Sequence, residues 1–586
     1  MRQWMVAAKK ADFYVIAEKF HVDPVVARII RNREVIGEKN IRIYLGGNLS
    51  DLSDPHQMKD MDRLVEILAQ KIRKQVHIRI IGDYDVDGVT SSHLFLTALR
   101  RVGAKVDVVI PHRIQDGYGL SLHLLQQAKE DGVDTILTCD NGIAAIDEIA
   151  WAKAQKMTVL VTDHHAVPFE EHEGRRTEKK SLADAVVNPH QQDCGYPYKE
   201  LCGAGVAWNV IRVLYENYDM DKREAEDLLD FVAMATVCDV MSLTGENRIL
   251  VKEGLKRIRH TKNIGLQALM QACNVQPENI SAYHFGYVLG PCVNATGRLD
   301  TARHALQLFE TGQETEAEEI ARDLVDLNQE RKELTLQGVE MAKKLCEEGG
   351  YENDPVLVLF LPDVHESIAG LIAGRIREMY NRPVFVLTRG EEGVKGSGRS
   401  TENYSMYENM CGCAELFTKF GGHPMAAGLS LPEENVEKFR RKINENCPLT
   451  VEEVCPDIHI DMAMPVGYAS TELVHQFALL EPFGKDNPSP LFADRNLSIS
   501  RMWVIGKNRN VLRMSVLSEY GQPVPVIFFG DVETLFAYFT EKFGQEEVEN
   551  ALHGRKNRIL FSMVYTAKID FYQGNENLQL EMKYYR

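Results

Sequence analysis

Ile81-Gly82-Asp83-Tyr84-Asp85-Val86-Asp87-Gly88-Val89-Thr90-Ser91-Ser92 decides how this 586-residue chain is read. Three carboxylates alternate over five residues. A largely apolar run, 76–81, precedes them and an amphipathic run, 90–99, follows, which spells strand, acidic turn, helix. Carboxylates crowded at a turn repel one another unless a cation compensates. The same Asp-x-Asp-x-Asp-Gly spacing opens a calcium loop, but that loop needs a bidentate Glu at its twelfth position and a helix leading in. Here the twelfth residue counted from Asp83 is Leu94, and a strand leads in. A solvated acidic turn is the remaining plain reading, and the residues downstream weigh against it.

Outward from this stretch the pattern becomes regular. Short β-branched or apolar runs at 76–81, 106–110, 135–138 and 158–161 alternate with helix-like segments near 90–101, 120–131 and 143–155. Such alternation predicts a largely parallel sheet in an α/β domain. Parallel sheets bind ligands outside the carboxyl ends of their strands. The four runs end in Asp83, Asp85 and Asp87; in Pro111-His112-Arg113; in Cys139-Asp140-Asn141-Gly142; and in Thr162-Asp163-His164-His165. Four strand ends delivering acids, imidazoles and an arginine to one edge are hard to explain as chance loop residues. Carboxylate donors suit Mg²⁺ and Mn²⁺, and imidazole tips the preference toward Mn²⁺. Five or more donors are too many for one ion that keeps positions open for substrate. Two ions about 3.5–4 Å apart, clamping a phosphoryl group, fit better. The chemistry expected is metal-assisted hydrolysis of a phosphate ester or anhydride.

The length allows about three or four domains, and a hydrophobic content of 44% is ordinary for a globular protein. No apolar run approaches the ~18 residues of a membrane helix, and Met1-Arg2-Gln3-Trp4 is no signal peptide. A cytoplasmic protein without a membrane partner is expected. The eleven cysteines include no Cys-x-x-Cys; Cys411-Gly412-Cys413 is the only close pair, and reduced thiols are expected. The net charge of −18 argues against a nucleic-acid partner on its face, although a local basic groove can sit on an acidic body.

The rest of the chain falls into segments. Residues 1–70 read as mostly helical, with Asp23-Pro24 opening one helix; Lys71, Arg73 and Lys74 form a small basic cluster. Cys202-Gly203-Ala204-Gly205 opens another helix, a feature that binds anions or simply packs closely. From Ala302 to Glu348 a single long helix is expected. In 351–450 a second α/β unit carries two glycine-rich turns, Lys395-Gly396-Ser397-Gly398-Arg399-Ser400 and Gly421-Gly422-His423-Pro424-Met425-Ala426-Ala427-Gly428, suited to phosphate oxygens. Beyond 451 short β runs at 497–503, 511–516, 524–529 and 559–565 suggest a small barrel. Its aromatics (Trp503, Phe528, Phe529) and bases (Lys507, Arg509, Arg513, Arg555, Lys556, Arg558) suit a single strand, although most of the aromatics are expected in the barrel core.

Asp163-His164-His165, with Gly82-Asp83-Tyr84-Asp85-Val86-Asp87-Gly88 and Asp140-Asn141-Gly142, resembles the motif set of the DHH phosphoesterase superfamily. Asp239, after the apolar run 231–238, matches its downstream acid. The turn 421–428, with His365, Gly370 and Arg375, resembles the DHHA1 domain. Asn294-Ala295-Thr296-Gly297-Arg298 and Pro482-Phe483-Gly484-Lys485-Asp486-Asn487-Pro488 are similar to motifs of the RecJ exonucleases. Three positions depart from these patterns: Cys292 for the usual Arg, Val364 for Trp and Ser367 for Gly.

The resemblance implies an α/β protein: an N-terminal helical segment (1–70), a DHH parallel-sheet catalytic domain (71–300), a long connecting helix (301–350), a DHHA1 α/β substrate-binding domain (351–450) and an OB-like β-barrel that binds nucleic acid (451–586). It makes Asp85, Asp87, Asp140, His164 and Asp239 ligands of two Mn²⁺ or Mg²⁺ ions, with Asp140 bridging. Asp83 binds metal or orients a water, His165 acts at the scissile phosphate as donor or general acid, and Asp163 orients imidazole. Arg113, Arg298, Ser397 and Arg399 would hold a terminal 5′-phosphate, with Asn294, His365, Arg375, Gly421, Gly422 and His423 also on the substrate side. The function implied is a 5′→3′ exonuclease releasing mononucleotides from single-stranded DNA in repair and recombination. It would work as a monomer, with a single-strand-binding protein and a helicase as its protein partners. The rivals are a phosphodiesterase of short oligonucleotides or cyclic dinucleotides, an inorganic pyrophosphatase, and a non-catalytic scaffold subunit.

Overall fold

The computed structural model describes residues 3–113, 116, 119–172, 175–390, 393–506, 510–572 and 574–586. They form two compact units: Leu49–Pro456, and Gln3–Asn48 together with Asp457–Arg586.

The first unit begins with a five-stranded, all-parallel sheet built from His77–Ile81 (β1), Lys105–Val109 (β2), Thr135–Cys139 (β3), Thr158–Thr162 (β4) and Ala185–Val187 (β5). The order is β2-β1-β3-β4-β5. The chain steps from β1 outward to β2 and then returns to the other side of β1 for β3. That reversal opens a crevice at the carboxyl ends of β1 and β3, which is where such sheets take their ligands. The first four strands lie where the alternation of β-branched runs places them; the three-residue β5 was too short to show.

Val86–Arg101 (α1) leaves β1 through the acidic turn and is buried on nearly all sides. Two of its buried hydroxyls are satisfied within the helix: Thr90 Oγ1 donates to Val86 O at 2.7 Å and Ser92 Oγ to Gly88 O at 2.7 Å. Its Leu94, Phe95 and Leu99 join Gly203–Asn217 (α2) and Leu229–Cys238 (α3) in the largest core. Each such side chain removed from water contributes about 1.5–3 kcal/mol before entropy is subtracted. Gly290–Leu299 (α4) carries the Asn-Ala-Thr-Gly-Arg motif.

The single helix expected over 302–348 is two, Ala302–Glu310 and Glu314–Glu348 (α5). Thr311 leaves helical geometry at φ −64°, ψ 137°, and Gly312 follows; glycine in a helix is costly, so the break falls there. Helix α5 contributes Ala317, Ile320, Ala321 and Leu324 to the first core and Val339, Ala342 and Cys346 to the next. It therefore runs from one core to the other. The second sheet consists of Leu357–Phe360 (β6), Val384–Gly390 (β7), Gly393–Arg399 (β8), Lys419–Gly422 (β9) and Ala426–Leu431 (β10), in the order β9-β10-β8-β7-β6. Only β6 and β7 are parallel. Glu366–Tyr380 (α6) connects those two.

In the second unit, Phe492–Ile505 (β11), Val511–Leu517 (β12), Pro523–Phe529 (β13), Leu560–Tyr572 (β14) and Asn575–Tyr585 (β15) close into a barrel, because β11 pairs with both β12 and β14. Of the aromatics read here, Phe528 is core, whereas Phe529 and Trp503 face out; Lys507 and Arg509 lie outside the described residues. Of the stretch 1–70, residues 3–48 belong to this barrel unit and 49–70 to the first. Trp4–Val6 pairs in parallel with Ile458–Ile460, and Arg33 forms a buried fork on Asp461.

Candidate metal centre and phosphate cleft

Asp85 caps α1, accepting the Gly88 N–H at 3.0 Å. Asp87, one residue into the helix, accepts from the N–H groups of Gly203 and Ala204 at 2.6 and 2.7 Å. The Gly-rich opening of α2 is thus an anion site, and the anion it holds is the protein's own Asp87 carboxylate. Gly203 is required there: a Cβ would lie 2.6 Å from Asp140 Cβ. Gly88 is required for the same reason, its Cβ falling 2.5 Å from the backbone N of Asp83.

At the end of β3, Asp140 takes a left-handed conformation, φ 62°. Asn141 secures the turn, its Nδ2 donating to Ile81 O at 3.0 Å and Cys139 O at 2.9 Å, which ties the β1 and β3 ends together. At the end of β4, Asp163 accepts the N–H groups of His164, His165 and Ile143 at 2.7, 3.0 and 2.9 Å, and its Oδ1 lies 2.8 Å from His165 Nδ1. Burial works to raise the Asp163 pKa, but the bond and charge of His165 outweigh it and hold it below the ordinary range. Burial likewise opposes protonation of His165, yet Asp163 lifts its pKa to about 9. The neighbouring ring of His164 is pushed down by burial.

His164 Nε2 stands 3.1 Å from Asp140 Oδ1 and 3.6 Å from both Asp87 Oδ2 and Asp239 Oδ2, the last delivered by the C-cap of α3. Three sets of donors converge within 4.8 Å: Asp83, Asp85 and Asp140; Asp87, His164 and Asp239; Asp140, His164 and His165. Two observations fit divalent cations here. Asp83 Oδ1 and His164 Nε2 are buried without a hydrogen-bond partner. Burial and then the neighbouring carboxylates push the pKa of Asp83, Asp85 and Asp140 up, a cost that a cation removes.

A second, opposite charge cluster lies beside the first. Arg298 on α4 donates to Ser367 O at 2.6 Å. Burial, and then Arg113, Arg331 and Arg399, lower its pKa to about 10. Arg399 is lowered too, by burial and then by Arg113 and Arg377. Among the described residues no carboxylate pairs with Arg298 or Arg399. The Arg113 guanidinium sits 4.8 Å above the ring of Tyr84, the residue between Asp83 and Asp85. Tyr84 and Arg113 line a cleft of about 430 Å³ with Ser367, Ser397, Lys419 and Gly421.

The remaining expected site residues are dispersed. Asn294 Oδ1 accepts the Val86 N–H at 3.1 Å and so braces the acidic turn. His365 caps α6, with Nδ1 2.6 Å from Ser367 Oγ, so the departure at Ser367 has a partner. Arg375 is 70% exposed beside Glu378 and stands outside the cleft lining. Gly422 and His423 lie exposed at the β9–β10 turn. Cys292 is buried, its Sγ 3.8 Å from Cys273 Sγ and 3.3 Å from Asn328 Nδ2, and Asn328 Oδ1 in turn accepts from Arg331. Val364 packs in the α6 core. Sequence reasoning missed Lys395, Lys419 and Thr388 on the cleft wall; the first two stand in or beside the glycine turns and offered a basic signal, whereas Thr388 offered none.

The DHH family, N-terminal domain matches residues 77–236, the DHHA1 domain 353–447 and the RecJ OB domain 460–584. The single-stranded-DNA-specific exonuclease RecJ of Haemophilus influenzae is 32% identical over 96% of this chain and 96% of its own length. That of Bacillus subtilis is 33% identical over 86% of this chain, which spans 63% of that relative's length. The crystal structure of RecJ in complex with Mn²⁺ from Thermus thermophilus matches with a TM-score of 0.81 at 24% identity, covering 100% of this chain and 79% of that one. Described helices include none long and apolar enough to cross a membrane. The donor sets, the arginine cleft, the three domains and these relatives lead to one conclusion: the chain belongs to the family of the single-stranded-DNA-specific exonuclease RecJ.

Proposed function

We propose that the protein removes mononucleotides from single-stranded DNA in the 5′→3′ direction by metal-assisted hydrolysis, in DNA repair and recombination. The observation that carries the reading is the adjacency of two opposite sites. Tyr84 lies between two acids of the donor sets and beneath an arginine of the cleft. An anion held at Arg113, Arg298, Ser397 and Arg399 would then lie beside the acids, which makes a free phosphorylated 5′ end the natural substrate.

In this reading Asp85, Asp87, Asp140, His164 and Asp239 hold two Mn²⁺ or Mg²⁺ ions, Mn²⁺ being favoured by the imidazole donor. The ions supply positive charge to the phosphoryl group and activate water. Asp140 belongs to two of the three donor sets, in keeping with a bridging ligand. Asp83 completes the acidic set, His165 donates toward the phosphate, and Asp163, which also accepts the backbone N–H groups of Ile143, His164 and His165, orients the His165 imidazole. The same reading places the protein in the cytoplasm as a monomer, with a single-strand-binding protein and a helicase as partners; its free cysteines suit a reducing compartment.

The test uses Mn²⁺ with a 5′-phosphorylated single-stranded DNA labelled at its 3′ end, the matching RNA and a dinucleotide. Stepwise shortening of the DNA with RNA largely intact is expected, and both chelation of the metal and Asp140→Ala should abolish it while the fold is kept. Hydrolysis of the dinucleotide alone would move the protein to the short-substrate branch; DNA bound but never cut would make it a scaffold.

A further inference from the structure

Helix α4 does not start at Gly290. It continues a helical stretch that begins at Ala282 and contains a π turn, Phe285–Leu289. Pro291 has no N–H to give to the carbonyl of Tyr287, and the π turn lies where that bond is lost. Two tyrosines project from this stretch, Tyr283 just before the π turn and Tyr287 within it, 62% and 71% exposed. Their rings stack on each other at 5.1 Å with an interplanar angle of 24°, and the His284 ring meets Tyr283 edge-on at 5.7 Å. Large aromatics held in register yet facing water need a reason.

The stretch 282–299 touches the site at three successive points. Arg298, near its end, belongs to the arginine cluster with Arg113 and Arg399. Asn294, one turn earlier, bonds the acidic turn at Val86. Gly290 and Phe285 lie against Cys238, the residue before Asp239: the Phe285 carbonyl accepts from Cys238 Sγ at 3.3 Å, and a Cβ on Gly290 would fall 2.3 Å from that sulfur. Read from Arg298 backwards, the helix passes the arginine cluster, the acidic turn and Cys238, the residue before Asp239, in order. Tyr287 lies within that last stretch, between Gly290 and Phe285 and about 16 Å from Arg298 at 1.5 Å per residue, and Tyr283 follows at about 22 Å. After Asp239, Val240 is exposed and held at φ 55°, a rare conformation for a β-branched residue and one that collects at functional sites.

We propose that Tyr283 and Tyr287 form a base-stacking platform for the nucleotides on the 3′ side of the scissile phosphate, holding the strand that remains after each cut. The platform rests on the exonuclease reading above and adds a length requirement: a strand must extend past the acids by a few nucleotides to use it. Stacking on a tyrosine face tolerates any base, so the platform raises affinity for single strands without sequence preference. A paired strand cannot offer its base faces to it.

The test compares a 5′-phosphorylated 20-nucleotide DNA with a 5′-phosphorylated dinucleotide, in Mn²⁺. The double variant Tyr283→Ala/Tyr287→Ala should raise KM for the 20-mer about tenfold or more, leave kcat near wild type and leave the dinucleotide kinetics unchanged, which also shows that the variant is folded. Tyr287→Trp should keep the wild-type KM. Replacing the third to fifth bases of the 20-mer by abasic spacers should weaken the wild-type enzyme to the level of the double variant and leave the variant indifferent. An unchanged KM for the 20-mer, or an equal loss on both substrates, overturns the platform while the exonuclease stands. A wild-type protein that leaves the 20-mer intact overturns the exonuclease reading itself.

Discussion

Asp230 shows what the interior does with a carboxylate that no cation answers. It is buried in the first core, its Oδ1 accepting from Phe231 N–H at 2.8 Å and its Oδ2 from Thr261 Oγ1 at 2.6 Å, and burial raises its pKa to about 6. A folded-state pKa above the ordinary 3.8 means that the native state binds the proton more tightly than the unfolded chain. The associated stability is complete below about pH 4 and is lost as the pH rises through 6. Asp230→Asn should therefore unfold at a higher temperature than wild type at pH 7.5, by a margin on the order of 3 kcal/mol, with a smaller gap at pH 5. A scanning-calorimetry gap of the same size at both values would refute the assignment. Asp87 is equally buried but has two backbone N–H groups on it. The acids of the site were legible in the sequence because strand ends collect ligands. That Asn294 spends its side chain on a backbone N–H, and that Arg375 faces Glu378, was not legible. A residue type and a motif do not say which neighbour a side chain finds.

Among elements, α2 carries the sharpest consequence. Its first turn must approach Asp140 closely enough for Gly203 and Ala204 to hold Asp87, and only a glycine at 203 permits that. Gly203→Ala should push the helix away, break one or both bonds to Asp87 and lower Mn²⁺ affinity at least tenfold, in the range that loss of an outer-shell partner costs a metal site. Isothermal titration with Mn²⁺ on the variant, checked for fold by circular dichroism, reads this directly; wild-type affinity would show that the close approach is dispensable. Helix α1 was foreseen, as were the four longer strands of its sheet, because period-2 and period-3.6 patterns are local. The break before α5 at 311–313 was missed because strong helix formers flank one glycine on both sides. The strand β15 was missed too, although Leu578, Leu580 and Met582 alternate with polar residues through it.

At the scale of the molecule, the chain's two ends make one unit. Arg33 donates to Asp461 at 2.7 and 3.1 Å and to Pro488 O at 2.8 Å, joining Gln3–Asn48 to Asp457–Arg586. Tyr44 adds a buried bond to Asn487 at 2.8 Å. Arg33→Ala leaves the buried Asp461 carboxylate without its cation, with only Asn32 Nδ2 and the Leu491 N–H on it, which costs about 3–5 kcal/mol. The melting of the barrel unit should shift down accordingly, while the dinucleotide hydrolysis assigned to the first unit keeps its rate at temperatures where the variant is folded. Loss of that activity in step with the barrel would mean that the two units do not unfold separately.

The sequence alone determined the parallel α/β domain, the set of acids and histidines at its strand ends, the second α/β unit and the C-terminal barrel. Each follows from hydrophobic period, turn residues and motif spacing, all of which act over a few residues. Tertiary structure decided what depends on contacts far apart in the chain: that the anion at the α2 N-terminus is Asp87, that Arg298 and Arg399 share one basic cluster, that residues 3–48 pack with the last 130, and that two stacked tyrosines lie on the helix that carries Asn294 and Arg298. Such contacts are chosen by packing and by the satisfaction of buried polar groups, and neither leaves a periodic trace in the sequence.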